Sequence, residues 1–334
     1  MTGAVDVNIV DWSAVLSRVV LVDDANRQPA VPAAEARAML RLAPDELDRL
    51  TAAGLPGAGS GEDRRYDFRD LYNIGIYTGN GKSRPEQAMK VMMRFASRPV
   101  EELLSRRRWT IRITGSCAAC RDGDATGTWQ VQVPVASPAG GRGLSWRVRT
   151  RSEGPAEQQP DLLVEGTVET AGVLHRIVSP AIRAVIDEFL GQAPRWHLLT
   201  QKQWADAERF HRLGVTDCVI ANLYLADRLR AIGVEARTRC GWMTGIVDVS
   251  HGWLEVRDED GILKAVDVIL PALARLLNPC SEPYLSMPLG SLINRVIPAD
   301  CAADQALVVH KHGIETVDCD LLTEVRPVLD RPGA

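Results

Sequence analysis

Apolar and polar positions change their period along this chain of 334 residues. Ala33 to Arg41 and Pro44 to Ala53 carry apolar residues at helical spacing, with Pro44 at a first-turn position where its missing N–H is no loss. Gly54, Gly57, Gly59 and Gly61 then make a turn region. Tyr66 to Tyr72 opens another helix, and Ser83 is suited to cap a last one through Phe95. Residues 1–107 are therefore expected to form a small helical domain. From Trp109 the period drops to two: Trp109–Ile113, Thr128–Val133 and Leu144–Thr150 alternate apolar with polar residues, separated by Gly/Asp/Pro-rich turns. Leu162–Val168 adds a fourth strand, so residues 108–172 are expected to form an antiparallel β segment, as a separate domain or as a flap against the C-terminal region. Residues 173–334 mix both periods. His175–Leu190 reads as a helix burying Ile177, Ile182, Val185 and Phe189, and Lys202–Leu213 as another. The fold class is α+β.

Composition narrows the function classes. A hydrophobic content of 46% can bury a substantial core, and a net charge of −4 removes the electrostatic case for the whole chain as a nucleic-acid binder. No apolar run approaches the ~18 residues of a membrane span. The sequence MTGAVDVNIVDWSAVL lacks the charged, apolar and small-residue succession of a secretion signal. Seven scattered cysteines fit reduced thiols, so a cytoplasmic protein with no membrane association is expected.

The chemistry concentrates between 214 and 270. Thr216 and Asp217 are helix-capping residues, and the following helix ends at Gly233, a residue suited to the left-handed position after a C-terminus. Cys218 therefore falls in the first helical turn, where unpaired backbone N–H groups and the positive dipole end favour a thiolate. Ala236–Trp242 reads as a strand, and the chain returns as His251-Gly-Trp-Leu-Glu-Val-Arg. A three-residue loop, Glu259-Asp260-Gly261, leads back through Leu263-Lys-Ala-Val-Asp267. That loop sets Trp253 opposite Asp267 and puts His251 one step diagonal to it on the same face; a slip of one residue would separate them. A carboxylate that orients an imidazole, which in turn activates a thiol, is the arrangement of nucleophilic acyl chemistry. Asp248 is a competing carboxylate.

A cysteine opening a helix that ends "LRAIGVEAR", then "HGWLEV", then "VDV", resembles the transglutaminase-like superfamily. The 33 residues from Cys218 to His251 and the 16 from there to Asp267 suit it. The resemblance spans about 57 residues and implies a papain-like core: a helix carrying Cys218 packed on an antiparallel sheet carrying His251 and Asp267. Two positions depart from the family's usual pattern, Gly252 where alanine is common and Val268 where proline is common. The segment from the AGLP turn through "RYDF" to "DLYNIG" resembles the small winged-helix domain of MerR-like regulators and excisionases. Between Arg27 and Arg108, however, 15 Lys/Arg against 11 Asp/Glu leave an excess of only four positive charges, less than a dedicated DNA reader carries, so DNA binding by residues 1–107 is not favoured over a packing or interaction role.

An oxyanion hole needs two donors. The backbone N–H of Cys218 is one, and Gln203, Trp204 or Gln201 are candidates for the second. Trp242 and Trp253 are candidates to wall a substrate channel. Cys117-Ala-Ala-Cys120 is half of a zinc motif, but with no second half nearby it reads as two thiols at a turn. His310-Lys-His312 alternates on a strand with both imidazoles on one face, and reads as a solvated edge in preference to a metal site. Neither a metal nor a cofactor is therefore expected. The reading as a whole is an acyltransferase that takes an acyl group from an amide or thioester donor onto Cys218 and passes it to an amine, in peptide or natural-product biosynthesis. A cysteine protease or amidase with the same triad, and a regulator with a vestigial triad, are the alternatives.

Overall fold

The computed structural model describes residues 10–121, 127–136, 142–150, 161–277 and 280–328. The turns expected around 122–126, 137–141 and 151–160 lie outside these residues. The structure is mixed α+β, and the chain divides into two units that it visits alternately: residues 1–93 with 194–217, and residues 94–193 with 218–334.

The first unit opens with α1 (Trp12–Leu16), β1 (Pro29–Pro32), α2 (Ala33–Leu40), α3 (Pro44–Ala52), β2 (Arg65–Asp67), α4 (Phe68–Tyr77) and α5 (Arg84–Met92). Arg41 takes the left-handed conformation, φ 59°, that stops α2, and Glu46 reaches back to the Ala43 N–H to start α3. β1 and β2 pair antiparallel, and Asp67 caps α4 by accepting from the Arg69 N–H. The second unit then begins with α6 (Val100–Leu104), β3 (Arg107–Ser116), α7 (Ala118–Arg121), β4 (Thr128–Val131), β5 (Arg142–Thr150), β6 (Leu162–Thr170) and α8 (Pro180–Gly191). α8 starts five residues later than expected, because Pro180 occupies its first turn and the N–H groups of Val178 and Ser179 are taken by the Asp258 carboxylate.

Returning to the first unit, the chain forms β7 (Arg195–Trp196), α9 (Gln201–Trp204), α10 (Ala207–Arg212) and β8 (Val215–Thr216). The single helix expected over Lys202–Leu213 is two, split where Asp206 caps the second by accepting from the Arg209 N–H. This excursion is anchored on α4: Asn73 donates to and accepts from the Leu198 backbone, and the Tyr77 hydroxyl donates to the Trp196 carbonyl at 2.8 Å.

The second unit resumes with α11 (Cys218–Ala231), β9 (Ala236–Met243), β10 (Ser250–Arg257), β11 (Leu263–Val266), α12 (Ile269–Leu277), α13 (Glu282–Ser286), β12 (Val296–Ala299), β13 (Val308–His312), β14 (Glu315–Val317) and β15 (Asp320–Pro327). Three antiparallel sheets result, in the orders β11-β10-β9-β12, β15-β3-β6-β5 and β14-β13-β4. The alternating segment thus does not close on itself. β3 takes the C-terminal β15 as its neighbour, while β4 leaves for β13. Trp109, Ile111, Ile113, Leu162, Val164 and Val168 from one sheet bury themselves against Cys240, Trp242, Ile297 and Ala299 from another. This shared core holds the sheet that carries the site. Among the described residues no helix is long and apolar enough to cross a membrane.

Candidate active site

Cys218 is the first residue of α11, a partly exposed thiol at the end of a helix that buries Val219, Ile220, Ala221, Asn222, Leu225, Ala226 and Leu229. Gly233, φ 81°, ends it: the Val234 N–H returns to the Leu229 carbonyl at 3.0 Å and turns the chain into β9. α11 packs on both β9 and β10.

The β10–β11 hairpin has the frame required by the three-residue loop. Leu254 stands opposite Val266 and Arg257 opposite Leu263, with Gly261 at φ 76° closing the turn. A buried ion cluster fixes that loop. Lys264, 1% exposed at its side chain, donates to Asp258 at 2.7 Å, to Asp260 at 2.6 Å and to the Arg176 carbonyl at 2.7 Å. Burial alone would raise the Asp258 pKa, yet Lys264 and three backbone N–H groups hold it at about 2.

Asp267 lies one residue beyond the last paired position of β11, and its carboxylate is divided between two partners. Oδ2 meets His251 Nε2 at 2.6 Å, and Oδ1 accepts from the Ile269 and Leu270 N–H groups at 2.9 and 3.0 Å, capping α12. Both side chains of the pair are buried, 7% and 3% exposed. Burial opposes a charge on His251, but the Asp267 carboxylate and a hydrogen bond with Cys218 outweigh it and raise the imidazole to about 10. The structure therefore brings Cys218, His251 and Asp267 together. Asp248, the competing carboxylate, is turned away: at φ 55° it bonds the Thr323 backbone through its own N–H and its side chain.

Trp253 shares the face of His251, two positions along β10, and is fully buried. Trp242 pairs with Ser250 and so points to the opposite face, into the core with Trp109. Neither is an exposed channel wall. Gln203 and Trp204 belong to the first unit. There Gln203 Oε1 accepts from the Thr200 N–H at 2.7 Å in a capping box, and the Trp204 indole N–H donates to Asp217 at 2.8 Å. Gln201 is exposed at the start of α9.

Two glycines and an asparagine play parts that the sequence pattern does not reveal. Gly241, paired with His251, admits the Ile297 carbonyl so closely that a Cβ there would stand 2.1 Å from its oxygen. At Gly252 a Cβ would stand 3.0 Å from Ala303 Cβ and 3.4 Å from the Cys218 carbonyl oxygen, so the residue after the histidine lies against the backbone of the cysteine. The buried Asn222 amide donates to that same carbonyl. Its signal in the sequence is a polar residue four positions after Cys218 on an otherwise apolar helix face.

No protein-family model matches the chain, and no curated protein does. A solved structure matches, that of a protein provisionally described as a cysteine protease from Cytophaga hutchinsonii, at 13% identity over 69% of this chain and 93% of the other, with a TM-score of 0.33. At that score the likeness bears on neither fold nor activity, and the comparisons give no support to a winged-helix relationship for the N-terminal residues.

Proposed function

We propose that this chain is a cysteine acyltransferase of transglutaminase-like chemistry, with Cys218 as nucleophile, His251 as proton carrier and Asp267 as its orienting carboxylate. The observation that carries this is the chain of contacts from Asp267 Oδ2 through the His251 ring to the Cys218 side chain at a helix start. An imidazole raised to about 10 is an imidazolium at neutral pH. That cation stands beside the Cys218 sulfur at the head of α11, and the proposed attack proceeds through the thiolate form of the residue.

The chemistry follows from this pairing. The Cys218 sulfur attacks the carbonyl carbon of an amide or thioester, and a C–S bond forms as the carbonyl oxygen takes the negative charge. The Cys218 N–H, at the head of α11, is the donor we assign to that oxygen. Collapse breaks the bond to the leaving amine or thiol, which takes the proton from His251. The neutral imidazole then accepts a proton from the incoming amine as it attacks the acyl-enzyme, restoring thiolate and imidazolium. Asp267 keeps the ring oriented and compensates its charge throughout.

Donor and acceptor are assigned by intact-mass analysis. An acyl adduct on Cys218 is expected from amide or thioester donors and should be absent in Cys218→Ala. Transfer of the trapped acyl group to added amine supports the transferase, and release to water alone reassigns the same site as a hydrolase. Lack of any adduct, with activity unchanged in Cys218→Ala, would remove the nucleophile assignment.

A further inference from the structure

The two weak motifs of the sequence meet in space. Cys117 and Cys120 bracket the start of α7, at the end of β3, and His310 and His312 lie on β13 some 190 residues later in the chain. One donor atom from each of the four residues falls within a sphere in which all lie within 4.8 Å of one another. The Cys120 sulfur is 3.3 Å from His310 Nε2 and 3.2 Å from His312 Nε2, the Cys117 sulfur is 3.5 Å from His312 Nε2, and the two imidazole nitrogens are 3.0 Å apart. The histidines do not form the solvated strand edge that their alternation predicts. His310 is 3% exposed and stacks on Trp129, the residue opposite it in β4, at 4.1 Å between ring centres.

We infer that Cys117, Cys120, His310 and His312 form a structural zinc site. Tetrahedral zinc with bonds of about 2.3 Å to sulfur and about 2.0 Å to nitrogen has edges of roughly 3.3 Å between nitrogens and roughly 3.5 Å between nitrogen and sulfur. Four of the six edges match these to within a few tenths of an ångström, and the other two lie within the 4.8 Å span of the group. Two thiolates and two neutral imidazoles are a borderline-soft donor set that suits zinc, and their charge cancels that of the ion. With four protein donors the site is closed, which assigns it a structural rather than a catalytic role.

The surroundings are those of a built site. The Cys117 backbone N–H is held at 2.8 Å by the buried Asp161 carboxylate, which fixes the turn bearing both thiols. Gly127 passes so close over the histidines that a Cβ would stand 2.2 Å from His310 Cε1 and 2.9 Å from His312 Cδ2. Trp129 sets the plane of the His310 ring. A metal here would join the end of β3, in the four-stranded sheet β15-β3-β6-β5, to β13 in the small sheet β14-β13-β4. Binding forms two S–Zn and two N–Zn bonds, releases the two thiol protons to solvent and involves no redox change. Cys319 is hydrogen-bonded to Cys117 from outside the four donors and is a neighbour of the site, not a ligand. The site shares no residue with the Cys218–His251–Asp267 group and does not depend on the reading of that group.

The full chain, purified without added chelator, is tested by elemental analysis and by exchange with Co²⁺. One zinc per chain is expected, and Co²⁺ should give the intense visible bands of tetrahedral coordination with a thiolate charge-transfer band in the near ultraviolet. Alkylation with and without a strong chelator, mapped by peptide mass, should show Cys117 and Cys120 as the thiols that the chelator unmasks; this readout needs no variant to fold. Cys120→Ser and His312→Ala should lose the metal, whereas Cys319→Ser and Cys218→Ser should keep one equivalent. No bound metal after zinc addition, an octahedral cobalt spectrum, iron in place of zinc, or protection of Cys319 instead of Cys117 would each overturn the assignment.

Discussion

Asp267→Asn isolates the electrostatic part of the site from its structural part. Aspartate serves two partners through two oxygens: Oδ1 caps α12 and Oδ2 holds His251. Asparagine can keep its one oxygen on the Ile269 and Leu270 N–H groups, which turns its NH₂ toward His251 Nε2. Two donors cannot face each other, so the ring must present a bare Nε2, carry its single proton on Nδ1 and give up the imidazolium state. The raise of His251 from 6.5 to about 10 corresponds to on the order of 5 kcal/mol, at about 1.4 kcal/mol for each tenfold change in proton affinity. Because burial pushes the other way, Asp267 and Cys218 together supply more than this net value. A buried hydrogen bond to a charged group contributes about 1.5–3 kcal/mol, which corresponds to a loss of roughly 10- to 150-fold in the proton affinity of His251. The assay is the rate of iodoacetamide modification of the Cys218 peptide at pH 7, followed by mass, since only the thiolate reacts. A slower rate that recovers at higher pH is expected, with the thermal midpoint little changed. Asp267→Ala removes the cap as well and should melt lower by the equivalent of about 0.5–2 kcal/mol. Equal modification rates and pH profiles in the parent and Asp267→Asn would refute the claim that this carboxylate maintains the ion pair.

Three further outcomes are expected from contacts around the site. Gly241→Ala drives a Cβ into the Ile297 carbonyl and should cost about 3 kcal/mol or more in urea unfolding, whereas Gly252→Ala, which presses only on Ala303 and the Cys218 carbonyl, should cost about 1 kcal/mol and lower kcat more than stability. If both variants melt alike, the close approach at Gly241 is not what holds β9 to β12. Lys264→Met leaves Asp258 and Asp260 without their cation and should destabilise by about 3–5 kcal/mol, measured by urea midpoint at pH 7; a neutral result would mean the loop is held by its backbone bonds alone. His251 has a folded-state pKa above its ordinary 6.5, so its stabilising contribution is complete below pH 6.5 and is lost as pH rises through about 10. Unfolding free energies between pH 6.5 and 10.5 should fall in the parent and fall less in Asp267→Asn; parallel curves would place the alkaline loss elsewhere.

What the sequence made legible was local. The loop Glu259-Asp260-Gly261 carried its own glycine signal, and from it the register of β10 on β11 followed, with His251 and Asp267 on one face. The start of α11 at Cys218 was legible from the Thr216-Asp217 pair that precedes it and from the glycine that ends the helix. Side-chain partners set by distant chain were not. No local pattern shows that Trp204 gives its N–H to Asp217, or that β4 abandons β3 for a strand near the C-terminus. For the same reason Cys117-Cys120 and His310-His312 read as separate and unremarkable. Each pair has the right internal spacing, i and i+3 on a turn and i and i+2 on a strand, but their meeting is a property of sheet order. The late start of α8 is a third case, because the carboxylate that binds its leading N–H groups lies on the β10–β11 hairpin.

That last contact shows how the site keeps its geometry. Asp267 is not oriented by β11 alone: it stands one residue past the last pair, where a strand end would leave it free, and is fixed from the other side by the N–H groups of α12 and by its own N–H on the Pro288 carbonyl at 2.8 Å. His251 is likewise set by the frame of β10, which is locked at the far end of the hairpin where Lys264 and Asp258 clamp the loop. A one-residue slip would cost that buried ion cluster and the Asp267 cap together, in addition to turning His251 and Asp267 to opposite faces. The penalty for misalignment is thus spread over contacts outside Cys218, His251 and Asp267. The three side chains do not have to supply the energy that holds them together, and the 2.6 Å contact between the buried carboxylate and the imidazole is left free for the proton transfer proposed for it.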